Sequence, residues 1–222
     1  MKQGTAQTLN VAGHVRNLED AMGVLEGYPR KTPAAFDFLG AGEPGELTAL
    51  EVIRTRKISS RISNKEVAFF VETAATASWI NPAADLANAD PDAVPVDGQL
   101  FASMTDLYWH FAENAPKGVS FAKISKVLHL KLPSLFPILD SHIARSYAPA
   151  AKMLRRDYPQ LGWRRRTWIA VRNDLLEARA SGALDELRRR LRSYESDDIN
   201  KQHEVRLLDG LTDLRLLDIL VW

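Results

Sequence analysis

The chain has 222 residues, of which 45% are apolar and 26% charged, with a net charge of +1, as in an ordinary soluble globular protein. Its lack of cysteine excludes disulfides, thiolate zinc sites and iron–sulfur clusters. The five histidines show no metal-ligand spacing, so we expect neither a metal nor a cofactor. Without a signal peptide or an apolar run of roughly 18 residues, we expect a cytoplasmic protein with no membrane partner.

The first half of the chain predicts helices separated by loops. Helical patterns occupy residues 18–25, 47–58 and 63–79. Ser63 is a candidate N-cap for the last of these, and Glu66 completes a capping box. Glycine and proline indicate a turn at Tyr28-Pro29, a loop over 30–45 and a polar connection over 81–98. That connection is the best candidate for a boundary between two lobes.

The second half predicts further helices, without an internal repeat or a period-two strand pattern. The helical stretches are 99–115, 121–130, 139–157, 164–180, 182–194, 199–209 and 211–222. We therefore predict an all-α, two-lobed helical domain. Residues 1–98 would form an N-terminal helical lobe with a loop-rich start, and 99–222 a second lobe that ends in C-terminal helices.

The positive charge is concentrated in one part of the chain. Residues 116–173 contain twelve Lys or Arg and two acids, a charge of +10 that leaves −9 for the remainder. A basic block in an otherwise acidic chain is typical of proteins that bind a polyanion. The alternative, that these charges lie on several unrelated faces, stays open. The run Arg164-Arg165-Arg166 could grip phosphate, but a solvated first helical turn is the preferred interpretation.

A short glycine turn joins two predicted helices at residues 116–120. Gly118 allows a tight turn and a close approach of the backbone to a ligand. The free amides that open the next helix can donate to a phosphate oxygen. Lys117, Lys123 and Lys126 would add an attraction that weakens with salt. The turn therefore predicts a clamp for a nucleic-acid backbone.

The stretch that begins at this turn resembles the helix-hairpin-helix motif of base-excision DNA glycosylases of the HhH-GPD superfamily. Lys117-Gly118-Val119-Ser120 corresponds to the Pro-Gly-Val-Gly core of their hairpin, and Pro133 to Pro137 corresponds to a proline-containing loop. Asp140 corresponds to the catalytic Asp. His142 resembles a position that often contacts backbone phosphate.

The resemblance implies a two-lobed helical fold with a helix-hairpin-helix lobe, a double-stranded DNA partner and hydrolysis of an N-glycosidic bond by Asp140. The implied DNA contacts are Lys117, Gly118, Val119, Ser120, Lys123, Lys126, His142 and Arg145. Family members that also cleave the strand carry a lysine where this chain has Ala122. Lys123 would point about 100° away on a helix. A monofunctional glycosylase in DNA repair is therefore the expected enzyme.

This chemistry needs a carboxylate and a pocket. The carboxylate stabilises an oxocarbenium-like sugar, and a flipped base stacks in a pocket with aromatic walls. Tyr108 and Trp109 are candidate walls, as are Trp79 and Phe111, with core packing as the alternative for each. For Asp140 the alternative is a helix N-cap, and the two roles could coexist.

A second resemblance is closer but supplies no activity. The chain resembles an uncharacterised bacterial domain family with the pattern Lys-x-Pro-x-Leu-x-Pro-x-x-Asp, matched at 131–140, and a Leu-Asp-x-x-x-Trp ending, matched at 217–222.

Three functional hypotheses follow. The first is the glycosylase. The second is a non-catalytic DNA-binding module that keeps the clamp. The presence of Ser120 in place of the last hairpin glycine favours this second hypothesis. The third, weaker hypothesis is a protein-interaction domain whose basic block meets an acidic partner.

Overall fold

The computed structural model describes residues 7–31, 36–93 and 99–221. The described residues form eleven α-helices and one two-stranded antiparallel sheet. The predicted all-α class is therefore confirmed, with the small sheet as an addition. No described helix has the length and apolar character needed to cross a membrane.

Two strands open the described part of the chain, and helices make up the rest of its regular structure. The elements are β1 (Thr8–Val11), β2 (His14–Asn17), α1 (Leu18–Lys31), α2 (Ala49–Arg54), α3 (Asn64–Ala74), α4 (Leu100–Ala112), α5 (Phe121–Lys131), α6 (Ser141–Ser146), α7 (Ala148–Met153), α8 (Trp163–Ala180), α9 (Ala183–Arg192), α10 (Ile199–Leu207) and α11 (Asp213–Val221). Short 3-10 turns occupy Thr55–Ile58, Leu86–Asn88 and Leu208–Gly210.

The chain divides into two compact units, and the division differs from the one expected at residue 98. The continuous unit comprises residues 32–145, and the discontinuous unit combines residues 1–31 with 146–222. The 81–98 connection therefore lies inside one unit instead of between two. Of that connection, residues 94–98 lie outside the described part of the chain.

In the continuous unit, local capping determines where two helices begin. The predicted capping box is confirmed, because the Ser63 side chain accepts from the Glu66 amide and Glu66 accepts from the Ser63 amide. Thr48 and Glu51 form a second capping box at the start of α2. The helices then bury an apolar core that includes Phe70, Met104, Phe111 and Leu128.

The discontinuous unit begins with a β-hairpin that the sequence patterns did not predict. Thr8 pairs with Asn17 and Val11 with His14. The two turn residues, Ala12 and Gly13, have positive φ angles of 54° and 77°, as in a type I′ hairpin turn. The Asp174 carboxylate of α8 accepts from the Ala12 amide at 2.7 Å. That bond attaches the turn to the helical part of the unit.

The predicted turn at Tyr28-Pro29 is wrong, because α1 continues through Pro29 to Lys31. Leu18, Leu25 and Tyr28 all lie on a buried stripe of this helix. The stripe extends the apolar contact to the last turn, and the contact outweighs the loss of the Pro29 N–H donor.

The predicted helix over 139–157 is instead two short helices, α6 and α7, that meet at Tyr147. Pro149 lies in the first turn of α7, where its missing N–H costs no hydrogen bond. The later predicted helices correspond to α8 to α11, and α11 is buried over most of its length. Trp222, the last residue of the predicted C-terminal pattern, lies outside the described residues.

Candidate nucleic-acid interface

The predicted clamp loop at 116–120 is exposed and turns tightly. Gly118 has a φ of +107°, and the Val119 amide donates to the Pro116 carbonyl at 3.0 Å. Ser120 is the N-cap of α5 and accepts from the Lys123 amide through its side chain. Ser120 therefore occupies one of the donors that were expected to hold phosphate.

A carboxylate of the protein itself lies against this loop. A Cβ atom added at Gly118 would lie 2.9 Å from Glu66 Oε1. Gly118 thus accommodates the buried Glu66 side chain of α3. The loop therefore lies against a carboxylate acceptor of the protein, which offers no donor to a phosphate group.

Lys123 is neutralised within the continuous unit. Its Nζ lies 2.6 Å from Glu66 Oε1, and the two side chains are only 15% and 9% exposed. Burial alone would raise the pKa of Glu66, but hydrogen bonds from Lys123 and Ser63 outweigh it and lower that pKa below its ordinary value. The ammonium group of Lys123 therefore stabilises an internal carboxylate.

The other lysines of α5 also point inward. Lys126 is 4% exposed, and its Nζ donates to the Ile58 carbonyl at 2.7 Å. Lys131 donates to Glu51 Oε1 at 2.8 Å and to the Ala41 carbonyl. In this arrangement the ammonium groups of Lys123 and Lys126 face oxygen atoms of the protein, and their phosphate contacts stay a prediction. Lys117, the predicted DNA contact in the turn before α5, is by contrast exposed.

Asp140 is half-buried and caps α6. Its Oδ1 accepts from the amides of His142 at 2.9 Å and Ile143 at 3.0 Å. Its Oδ2 accepts no hydrogen bond from any described residue. Asp140 therefore acts as the N-cap of α6 through Oδ1, as the alternative interpretation predicted, and Oδ2 is not used in the cap. His142 and Arg145 are both exposed on this short helix.

Two of the four predicted wall residues, Tyr108 and Trp109, have different environments. Tyr108 is 2% exposed and belongs to the core, whereas Trp109 is 46% exposed. Neither lines the cavity of about 580 Å³ that lies in the same unit, although Trp79 does. Within the described residues, no group of three or more His, Asp or Glu side chains could hold a metal ion.

The cations that do face solvent lie in a different place, which we call the basic segment (residues 152–166, between the end of α7 and the start of α8). It contains six Lys or Arg and one acid, Asp157. Lys152, Arg155 and Arg156 are exposed. None of these three side chains makes a hydrogen bond or ion pair with any residue that the structure describes.

The basic segment is fixed at both ends. Arg166 donates to the Ala151 carbonyl at 3.0 Å and to the Leu161 carbonyl. Beside it, Trp163 is 42% exposed, with the Arg164 guanidinium 5.9 Å from its ring centroid. The interpretation of 164–166 as a plain solvated turn missed these roles. The sequence did contain a signal for the exposed cations. No Asp or Glu lies three or four residues away from any Lys or Arg of the basic segment, so these cations have no ion-pair partner one helical turn away.

The arginines of α9 provide a contrast. Arg189 and Arg190 pair with Glu186 at 2.5 Å and 2.9 Å. Arg192 pairs with Asp209 at 3.2 Å. These cations are therefore already compensated, whereas the exposed cations of the basic segment are not.

A family model described as a family of unknown function, DUF6308, matches residues 30–222. The chain belongs to this family. The matched region contains the clamp loop, Asp140 and the basic segment, and it begins after the β-hairpin. Searches of curated proteins and of solved structures gave no significant match. None of these comparisons links DUF6308 to the HhH-GPD glycosylases, so that resemblance stays a hypothesis.

Proposed function

We propose that the protein is a non-catalytic DNA-binding module that contacts the duplex backbone through the basic segment. The observation that carries this proposal is the exposure of Lys152, Arg155 and Arg156 without acidic partners among the described residues. This is the non-catalytic alternative from the sequence analysis, with the phosphate contacts placed on the basic segment instead of on α5.

The cations differ in the interactions that they lose when they bind phosphate. A paired side chain such as Lys123 must break an existing ion pair before it can hold phosphate, and it would leave Glu66 buried and unpaired. An unpaired, exposed arginine gives up only water and can bind phosphate through two N–H groups. Each phosphate that it neutralises also releases counterions from the DNA.

The scaffold supports this role. The Arg166 hydrogen bonds connect the start of α8 to the Ala151 and Leu161 carbonyls, and such restraint of the backbone lowers the entropy cost of binding. Trp163 and Met153 are exposed beside the cations. Their apolar surface suits contact with sugar rings of the backbone.

The test is the salt dependence of binding to a fluorescent duplex, measured by anisotropy between about 50 and 200 mM salt. Replacement of Lys152, Arg155 and Arg156 by Gln should lower the slope of log affinity against log salt by up to roughly 3. The control replaces Arg189, Arg190 and Arg192 by Gln, which changes the net charge equally. A wild-type affinity that does not depend on salt, or equal effects of the two triple variants, contradicts the proposal.

A second candidate is the glycosylase, which the unoccupied Asp140 Oδ2 favours. The protein would be incubated with duplexes that contain modified bases and then treated with alkali to break abasic sites. Catalysis requires strand breaks with the wild type and none with Asp140→Asn, which retains an oxygen for the cap. An absence of breaks on every lesion excludes this candidate and leaves the binding proposal intact.

A further inference from the structure

The continuous unit contains a cavity that the proposed function does not use. Its volume is about 580 Å³, within the range typical of small-molecule sites. One wall is a face of α4, and the other is the segment Ser78 to Ile80. We propose that this cavity binds a planar aromatic ligand that carries a cationic or N–H donor head group and no phosphate.

The flat wall of the cavity is preorganised. The Trp79 Nε1–H donates to the Ala74 carbonyl at 3.1 Å, and its ring centroid lies 6.0 Å from that of Phe111. Because its N–H is already used, Trp79 offers an apolar face instead of a donor. Leu100 and Leu107 of α4 add further apolar surface. Such a surface suits an aromatic ring.

The hydrogen-bonding side chains of the cavity are Asp106, His110 and two serines, Ser78 and Ser103, whose hydroxyl groups can donate or accept. His110 Nε2 lies 2.9 Å from the Thr73 carbonyl oxygen. A carbonyl can only accept, so Nε2 carries the proton and Nδ1 of the neutral ring is an acceptor. This assignment follows from the hydrogen-bond network. The ring is thereby held in one tautomer.

Asp106 provides the charge of the cavity. It precedes His110 by one helical turn on α4, so the two share a face. Its exposed carboxylate makes no hydrogen bond or ion pair with any described residue. A ligand with an amidinium or amino group would supply the missing donors.

The lining disfavours other ligand classes. Among the described residues that line the cavity there is no Lys or Arg, so a phosphate ester would find hydroxyl donors but no cation to offset its repulsion from Asp106. A purely aliphatic ligand would displace water from that carboxylate and give it no donor. A planar ring with N–H donors satisfies both the apolar wall and the acceptors.

The test is isothermal titration calorimetry with four phenyl compounds that differ in the head group: benzamidine, benzamide, benzoate and phenyl phosphate. We expect benzamidine to bind best and the two anions to bind at least about tenfold more weakly. Asp106→Asn should weaken benzamidine binding by about tenfold. The control is Glu113→Gln, which removes an exposed carboxylate just after α4 that does not line the cavity.

Three results would overturn this proposal. They are saturation by no probe, benzoate binding as tight as benzamidine binding, and equal effects of Asp106→Asn and Glu113→Gln. Thermal melting of both variants checks that each is folded, and Asp106 has no described side-chain partner whose loss would unfold the unit. The site is independent of the basic segment, so the Lys152, Arg155 and Arg156 variant should keep its affinity for benzamidine.

Discussion

Lys123 of α5 and Glu66 of α3 form an ion pair with Nζ and Oε1 2.6 Å apart, and the same oxygen lies 2.9 Å from where Gly118 would carry a Cβ. One carboxylate therefore pairs with the lysine and lies against the glycine, whose φ of +107° also disfavours a side chain at this position. A glycine turn followed by a lysine helix is typical of a phosphate clamp, but in this protein both features are explained by contacts inside the continuous unit.

Gly118→Ala should destabilise the protein by about 1–3 kcal/mol. The added methyl group would be strained at a φ of +107° and would press on the buried Glu66 carboxylate. Urea unfolding measures the change. The control is Gly23→Ala, because Gly23 lies inside α1 with no atom within 4 Å of the new Cβ. That change should stabilise the protein by about 0.5–1 kcal/mol, and a neutral Gly118→Ala would contradict both the backbone strain and the Glu66 contact.

Lys123→Met should cost about 1–3 kcal/mol of stability, because it leaves the Glu66 carboxylate unpaired. Lys117→Met, at an exposed position, should change the free energy of unfolding by less than about 0.5 kcal/mol. Chemical denaturation compares the two variants, and the double change Lys123→Met with Glu66→Gln should cost less than the sum of its parts. If Lys123→Met leaves stability unchanged but weakens DNA binding, Lys123 is a phosphate contact after all.

Stability should fall in acid as the carboxylates of Glu51 and Glu66 become protonated. Burial alone would raise both pKa values, but hydrogen bonds from Lys131 and Thr48 to Glu51, and from Lys123 and Ser63 to Glu66, lower them below the ordinary 4.5. A lowered folded-state pKa contributes stability above pH 4.5, and that contribution is lost as the pH falls through the folded-state pKa.

Urea midpoints measured at a series of pH values from about 7 down to 3 test this expectation. The double variant Glu51→Gln with Glu66→Gln should be less stable near neutral pH and should show a shallower loss of stability in acid. Equal slopes for the variant and the wild type would mean that other groups control the acid transition.

Asp140→Ala should lower stability by about 1 kcal/mol, because it removes the oxygen that accepts from the His142 and Ile143 amides. Asp140→Asn should cost only a few tenths of that, since Asn is an equally good N-cap. Differential scanning calorimetry compares them. Equal losses for the two variants would mean that the charge of Asp140, and not its capping oxygen, stabilises α6.

Features that depend on neighbouring residues could be predicted from the sequence. The Ser63–Glu66 capping box and the helix that contains Lys123 follow from local pattern, and both occur in the structure. The N-cap alternative for Asp140 was also foreseen, because its donors lie two and three residues later.

Features that depend on distant residues could not be predicted. Lys123 contacts a residue 57 positions away, and Lys126 contacts one 68 positions away, so nothing in the local pattern reveals that the two ammonium groups are internal. The hairpin was missed because its strands are only four residues long. The cavity beside Trp79 likewise requires the packing of α4 against a separate segment.

The division of the chain has a consequence for synthesis on the ribosome. The hairpin and α1 pack on α8, α9 and α11, yet the whole continuous unit is translated between them. The continuous unit has all its own residues at that stage and can fold first. Until α8 emerges, Leu9 and Leu25, which are fully buried in the finished protein, lack the surfaces that α8, α9 and α11 provide to the hairpin and α1. A nascent-chain chaperone would therefore find its binding segment in residues 8–31.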